Sequence, residues 1–261
     1  MAPFDFMKPF LDVISSFFGA ILAPFDSFVL FGVVPYVAVI VMIIGFVYRF
    51  FSDRFSFSSQ SSQFLAEKTK MNFGSIFFHY GLITILLSHL VVYIIGVLFP
   101  AQWTAFLVAV PLFLPAIEVT GWVATIVVII GLFLFLARRI SSPLLRAVTT
   151  KLDWLLLIVL IFQVGLGFWI ATIYYPGASW YVSTIVPWLQ SLVTLSPNPA
   201  LMAGTFPEIQ MHILSALFLI AILPFTRLVH SLSVTIVSYL WRPYQIVVWN
   251  LRKLKGQPEG T

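Results

Sequence analysis

The sequence predicts an all-α membrane protein, a bundle of five transmembrane helices preceded by a short interfacial helix. Three observations lead there. The 261 residues are 61% hydrophobic and 9% charged, with mean hydropathy +1.04, too few charges to solvate a water-facing surface of that length. The apolar residues gather into five long runs, each near the ~20 residues that carry a helix across a bilayer. The bases collect at the edges of those runs and in the gaps between them.

Residues 1–28 are aromatic and mildly acidic, with Lys8 as the only base. They lack the basic start and small-residue cleavage site of a secretory leader, so the pattern predicts an interfacial helix over residues 8–22, ended near Pro24. Spans one to five are expected at residues 29–49, 74–98, 116–137, 153–175 and 207–229. A further apolar run, residues 103–114, is short and interrupted by Pro111 and bounded by Pro115, which predicts an outer loop or re-entrant piece. Three regions follow: an N-terminal segment 1–28, a membrane domain 29–230 and a cytoplasmic tail 231–261.

Charge sets the orientation. Arg49, Arg54, Lys68 and Lys70 lie between spans one and two, and Arg138, Arg139, Arg146 and Lys151 between spans three and four. Arg227, Arg242, Arg252, Lys253 and Lys255 end span five or follow it. The loops on the other side, 99–115 and 176–206, contain no base. The positive-inside rule then puts the N-terminus outside and the C-terminus in the cytoplasm of a multi-pass cell-membrane protein. The basic pI near 9.6 is therefore topology, not a nucleic-acid surface.

Cysteine is absent, which excludes disulfides, thiolate clusters and covalently attached c-type haem. The chain has four histidines, all in or at the edge of apolar spans: His79 and His89 on span two, His212 and His230 on span five. Intramembrane ionisable residues are functional candidates by default. His79 and His89 are separated by ~15 Å of helix, and His212 and His230 by ~27 Å in the opposite direction. Levels then match in one way, His89 with His212 on the outer side and His79 with His230 on the inner side. The inner match falls short by ~10 Å, which tilt or a later start to span two would absorb. Eighteen residues make five helical turns, so a continuous span five would project His212 and His230 from one face. Two rungs of paired imidazoles suit two haem b groups, each held by axial ligands alone. A zinc centre fits less well, because Cys is absent and carboxylates are few around these positions.

The same residues carry a family resemblance. The strings SSQFLAEKTKMNFGSIFFH, ARRISSPLLRAVTTKLD, LLIVLIFQVGLGF, PFTRLVHSLSV and SYLWRPYQIV, with nine residues between the first two histidines and seventeen between the last two, resemble the haem b (gamma) subunit of membrane-bound respiratory nitrate reductases over residues 34–255. The resemblance implies a five-span di-haem protein with the outer haem on His89 and His212 and the inner haem on His79 and His230. It implies quinol as electron donor near the outer haem, with electrons passing to a cytoplasmic iron–sulfur subunit and on to a molybdenum catalytic subunit. It also implies that Arg139 lies near the inner haem, where an arginine grips a propionate. Arg227, one turn before His230, is a second propionate candidate, and Arg138 and the polar string Ser61, Ser62 and Gln63 are weaker ones.

Glu118 is the carboxylate in the outer third of span three and a candidate acceptor of a quinol proton. Here the chain departs from the family pattern, which has a basic residue directly after Ile-Glu-Val. Ile117, Glu118 and Val119 are followed instead by Thr120, Gly121 and Trp122. That departure keeps open a haem b subunit of a nitrite-oxidising or sulfur-metabolising complex. A reading from another class, a proton-coupled transporter using histidines, requires polar residues along the span interiors, and few are evident. Gly165 and Gly167 would admit close helix or porphyrin approach, and Tyr174, Tyr175, Trp180, Tyr181 and Trp188 read as an outer aromatic belt. The orientation is testable with reporters fused after Thr261: green fluorescent protein should fluoresce there and alkaline phosphatase should be inactive. The opposite pair of results would overturn the assignment.

Overall fold

The computed structural model describes residues 8–52, 68–174 and 181–231, with the side chains of 68–72 and 182 left out of that description. Every regular element among the described residues is helical. The elements are α1 (Lys8–Leu22), α2 (Val34–Ser52), α3 (Lys68–Leu98), α4 (Pro100–Ala109), α5 (Phe113–Ser141), α6 (Pro143–Ala147), α7 (Lys151–Ile173), α8 (Val186–Val193), α9 (Ala200–Ala203) and α10 (Pro207–Ile222). Five stretches are long and apolar enough to cross a membrane: Val29–Ser52, Phe73–Leu98, Phe113–Ser141, Lys151–Ile173 and Pro207–Phe225. These are the five expected spans, and α1 matches the expected N-terminal helix. Arg54, Ser61, Ser62, Gln63, Tyr175, Trp180 and the basic tail from Arg242 to Lys255 lie outside the described residues.

Local chemistry sets several boundaries. Pro100 and Pro207 open α4 and α10, where a missing backbone N–H costs nothing. Thr150 and Asp153 form a reciprocal capping box at the start of α7, each side chain bonding the other's backbone N–H at 3.2 and 3.0 Å. The run at 103–114, expected as a loop or re-entrant piece, is largely the helix α4. Trp103 is buried at 2% exposure between Phe106 and Phe113, and that aromatic contact folds α4 back on the start of α5.

Spans two and three make the most intimate contact. A side chain on Gly131 would stand 2.6 Å from the backbone nitrogen of Phe78, and one on Gly81 would stand 2.8 Å from the carbonyl of Ala124. Lipid leaves little hydrophobic drive between helices, so small residues that let backbones approach supply the packing. Phe78, Val128, Leu132, Leu157, Leu160 and Val164 form the core that this contact shares with span four.

A second core, around Phe31, Ile185, Trp188, Met202 and Ile209, closes the opposite end of the bundle. Trp188 was expected in an interfacial belt, but it is 3% exposed and its indole donates to the Phe31 carbonyl at 2.9 Å. Pro35, four residues after Phe31, has no N–H for that carbonyl, and Trp188 supplies the donor instead. α1 docks on spans four and five: Phe10 meets Trp169, Phe18 meets Phe162, and Gly19 lies against Pro207.

The glycine contacts are testable in pairs. Gly131→Ala should destabilise the detergent-solubilised protein by about 2 kcal/mol in thermal or denaturant unfolding. Gly165→Ala, where an added Cβ meets open space, should leave the transition where it is. Equal effects would refute the packing role.

Candidate functional site

His79 and His230 come together, with ring centroids 6.1 Å apart and planes inclined at 58°. Each ring is anchored at Nδ1. The His79 Nδ1 lies 2.8 Å from the Ser75 carbonyl and 3.1 Å from its hydroxyl, and the His230 Nδ1 lies 2.5 Å from the Arg227 carbonyl. A carbonyl only accepts, so each Nδ1 carries the proton and each Nε2 keeps its lone pair.

His89 follows the same rule, its Nδ1 donating to the Ile85 carbonyl at 2.8 Å. His212 is held differently. Its Nδ1 is buried without a hydrogen-bond partner among the described residues, while its Nε2 lies 3.3 Å from the Gln163 amide nitrogen. Ser215 donates to the other end of that amide, and a side chain on Gly167 would stand 3.1 Å from the imidazole. The expectation of close approach at Gly167 is met by His212 itself.

Span five is not the continuous helix that the phase argument assumed. α10 ends at Ile222, and two 3-10 turns, Leu223–Phe225 and Arg227–Val229, follow with Thr226 extended between them. Span two also begins early, at Lys68, so a later start does not bring His79 and His230 level. They meet beyond a break in span five at Pro224, which the phase argument left out. At the break, Arg49 of span one donates to the Pro224 carbonyl at 2.6 Å and reaches the Thr226 carbonyl at 3.5 Å. A side chain on Gly45, one turn earlier, would stand 2.5 Å from the Pro224 ring.

Five spans with two histidine levels now stand beside known proteins. The model of the nitrate reductase gamma subunit matches residues 27–250. The chain belongs to the nitrate reductase gamma subunit family. It is 32% identical to the respiratory nitrate reductase 1 gamma chain of Escherichia coli and 30% identical to the nitrate reductase gamma chain of Bacillus subtilis, over 83% and 84% of its own length and 95% and 96% of theirs. It is 35% identical to the nitrate reductase-like protein NarX of Mycobacterium tuberculosis, over 82% of this chain and 32% of that longer protein. The family makes it the gamma subunit of a nitrate reductase complex, an oxidoreductase subunit that works with others. With its five apolar helices it is a multi-pass protein of the cell membrane. α1 lies before the matched residues.

In this gamma subunit the arginines divide their work. Arg227, a propionate candidate from sequence, gives its fork to Asp153, Nε to Oδ1 at 2.7 Å and Nη2 to Oδ2 at 3.0 Å. Arg139, the other candidate, donates to the Asp153 backbone carbonyl at 3.2 Å and lies over the Trp154 ring. Arg138 buries Nε and Nη2 with no hydrogen-bond partner among the described residues. Asp153 is thus a site residue that sequence reasoning missed. Its signal was the Thr150–Asp153 capping pattern beside two basic spans. Through Arg227, whose carbonyl holds His230, it fixes the pair from outside.

The other end holds a second missed group. Glu208, one turn before His212, is fully buried and accepts from the Ser15 hydroxyl at 2.5 Å and the Tyr174 hydroxyl at 3.3 Å. Burial, and after it the Glu208 charge, pushes the Tyr174 phenol above its usual range. Burial and then Tyr93 do the same to Tyr181, and the rings of His89, Tyr93 and Tyr181 follow one another at 5.5 and 5.2 Å. Glu118 is half-buried in span three, and Thr120 turns its hydroxyl back to the Ala116 carbonyl at 2.8 Å. The span interiors are thus more polar than the sequence suggested, through Glu208, Gln210, Gln163 and Thr125.

The Asp153–Arg227 pair yields a prediction. Arg227 is 29% exposed and Asp153 7%, so Asp153→Ala removes the carboxylate from a largely buried ion pair and should cost about 3 kcal/mol in denaturant unfolding. Asp153→Ala with Arg227→Ala should cost clearly less than the sum of the single changes. Additive losses would show that the pair does not couple.

Proposed function

We propose that this chain is the di-haem b subunit of its complex, carrying electrons from quinol on the outer side to a cytoplasmic iron–sulfur subunit that feeds a molybdenum catalytic subunit. The observation that carries the reading is the His79–His230 pair. A metal-bound imidazole nitrogen lies ~2 Å from its ion, so two imidazoles on opposite sides of one ion place their ring centroids ~6 Å apart. The measured separation is 6.1 Å, with both Nε2 lone pairs left available. Nδ1–H donation to a carbonyl is the usual second support of a metal-bound histidine. Among the described residues no three of His, Asp, Glu and Cys converge, so the donor set suits an ion whose remaining ligands come from a macrocycle.

Haem b, when bound, supplies a one-electron carrier at each level. His79 and His230 would hold the inner one, His89 and His212 the outer one. Ser75, Ile85 and the Arg227 carbonyl fix the tautomers of three of these ligands. His212, whose Nε2 lies 3.3 Å from the Gln163 amide nitrogen, would offer that nitrogen to the iron. The buried nitrogens of Arg138 suit a propionate carboxylate, with Arg139 beside it. Arg227 acts on the inner ligand through its backbone, its fork being engaged by Asp153. Glu118 would take a proton from quinol, and Thr120 beside it offers a hydroxyl where a cation would bind the headgroup more strongly. That difference favours, as a second reading, a haem b subunit of a related nitrite-oxidising or sulfur-metabolising complex. The basic end faces the cytoplasm and its partner subunits.

The purified chain should show low-spin b-type bands at two haems per chain. His89→Ala or His212→Ala should remove one haem and the same one, and His79→Ala or His230→Ala the other. A chain without such bands would end the di-haem reading. Haems that quinol does not reduce would favour the second reading over the first.

A further inference from the structure

We infer that Gly45 and Arg49 of span one are positioning residues for the inner histidine pair: together they seat the break in span five that turns His230 toward His79. The inference rests on the di-haem reading for its spectroscopic test and on geometry for its argument.

In an unbroken α-helix the Pro224 carbonyl would accept from the N–H of residue 228. Here that N–H goes to the Thr226 hydroxyl at 3.2 Å, so the carbonyl leaves the helical ladder. The Thr226 carbonyl receives the Val229 N–H at 3.3 Å in a tighter turn. Pro224 is fully buried, so no water is at hand for a carbonyl released in this way, and one left unpaired is costly. The Arg49 guanidinium supplies the donor, bonding the Pro224 carbonyl at 2.6 Å and reaching that of Thr226.

Space must be found as well as hydrogen bonds. Gly45 and Arg49 lie one turn apart on one face of α2. An added Cβ at Gly45 would stand 2.5 Å from the Pro224 ring and 2.7 Å from the Phe225 ring. The missing side chain admits the proline, and the arginine one turn on ties down its carbonyl. Downstream, the turn Arg227–Val229 delivers the Arg227 carbonyl to His230 Nδ1 and the ring to 6.1 Å from His79. The outer ligand on the same span, His212, lies before the break on regular α10 and does not depend on it. Arg49 thus has a task beyond the positive charge that orients the span.

The test uses the full chain in membranes. In Arg49→Leu and Gly45→Ala, the haem component that His79→Ala removes should fall about tenfold, as expected for an orphaned buried carbonyl or its steric equivalent. The component that His89→Ala removes should stay. Arg49→Lys, which keeps one donor, should restore part of the inner component. Loss of both components together, or retention of both with unchanged midpoint potentials, would overturn the inference. A second arm needs no haem. The chain has no cysteine, so His79→Cys with His230→Cys introduces the only two thiols. A short bis-methanethiosulfonate should link them, and adding Arg49→Leu or Gly45→Ala should slow the linking about tenfold. Equal linking rates would refute the seat. Absent haem bands in the unaltered chain would count against the di-haem reading alone and leave this arm to decide.

Discussion

A buried polar backbone group that leaves the helical ladder must find its partner within the protein, and this constraint shapes two of the places where the described chain departs from regular α-helix. At Pro35 the Phe31 carbonyl loses its donor and takes the Trp188 indole. At Pro224 the chain turns sharply and its carbonyl takes Arg49. The first repair ties span one to the segment before span five and closes one core. The second lies shortly before His230, whose ring meets His79, and it is the seat inferred above for that pair. Both donors come from elements distant in sequence, so each break is tolerable only once the bundle has assembled.

The basic end therefore serves two purposes at once. Its positive charge follows the rule that orients membrane proteins. Yet Arg49, Arg139 and Arg227 are also structural donors, to Pro224, Asp153 and Asp153 respectively. Asp153 links these roles, capping α7 through Thr150 while holding the fork of the arginine whose carbonyl orients His230. Arg138, with Nε and Nη2 buried and unpaired among the described residues, stands apart from that arrangement. An end that composition describes only as basic is thus divided between scaffold and candidate ligand contacts.

The opposite end is organised by hydroxyls and amides. Gln163 and Ser215 support His212, while Ser15 and Tyr174 support the buried Glu208 one turn away. Ser15 belongs to α1, which lies before the residues that match the family. The aromatic helix α1 rests on Trp169 and Phe162 and reaches the first turn of span five.

Hydrophobic runs, charge placement and histidine spacing were enough to read five spans, the N-terminal helix and the approach of His79 to His230. Those features are local or additive: the hydropathy of a window, a count of bases, a rise per residue. The same reasoning misread how the partners meet, since it treated span five as one helix despite Pro224, and it set Trp188 at an interface instead of in a core. It passed over Asp153, Glu208 and Gln163 because one polar residue in an apolar run carries no mark of its partner. The sequence by itself determined the fold class, the membrane and the ligand candidates, because solvation by lipid acts on each residue singly. Only the tertiary structure decided where the helix breaks, which arginine holds which carbonyl and which carboxylate is engaged, because those depend on donors and acceptors brought together across the bundle.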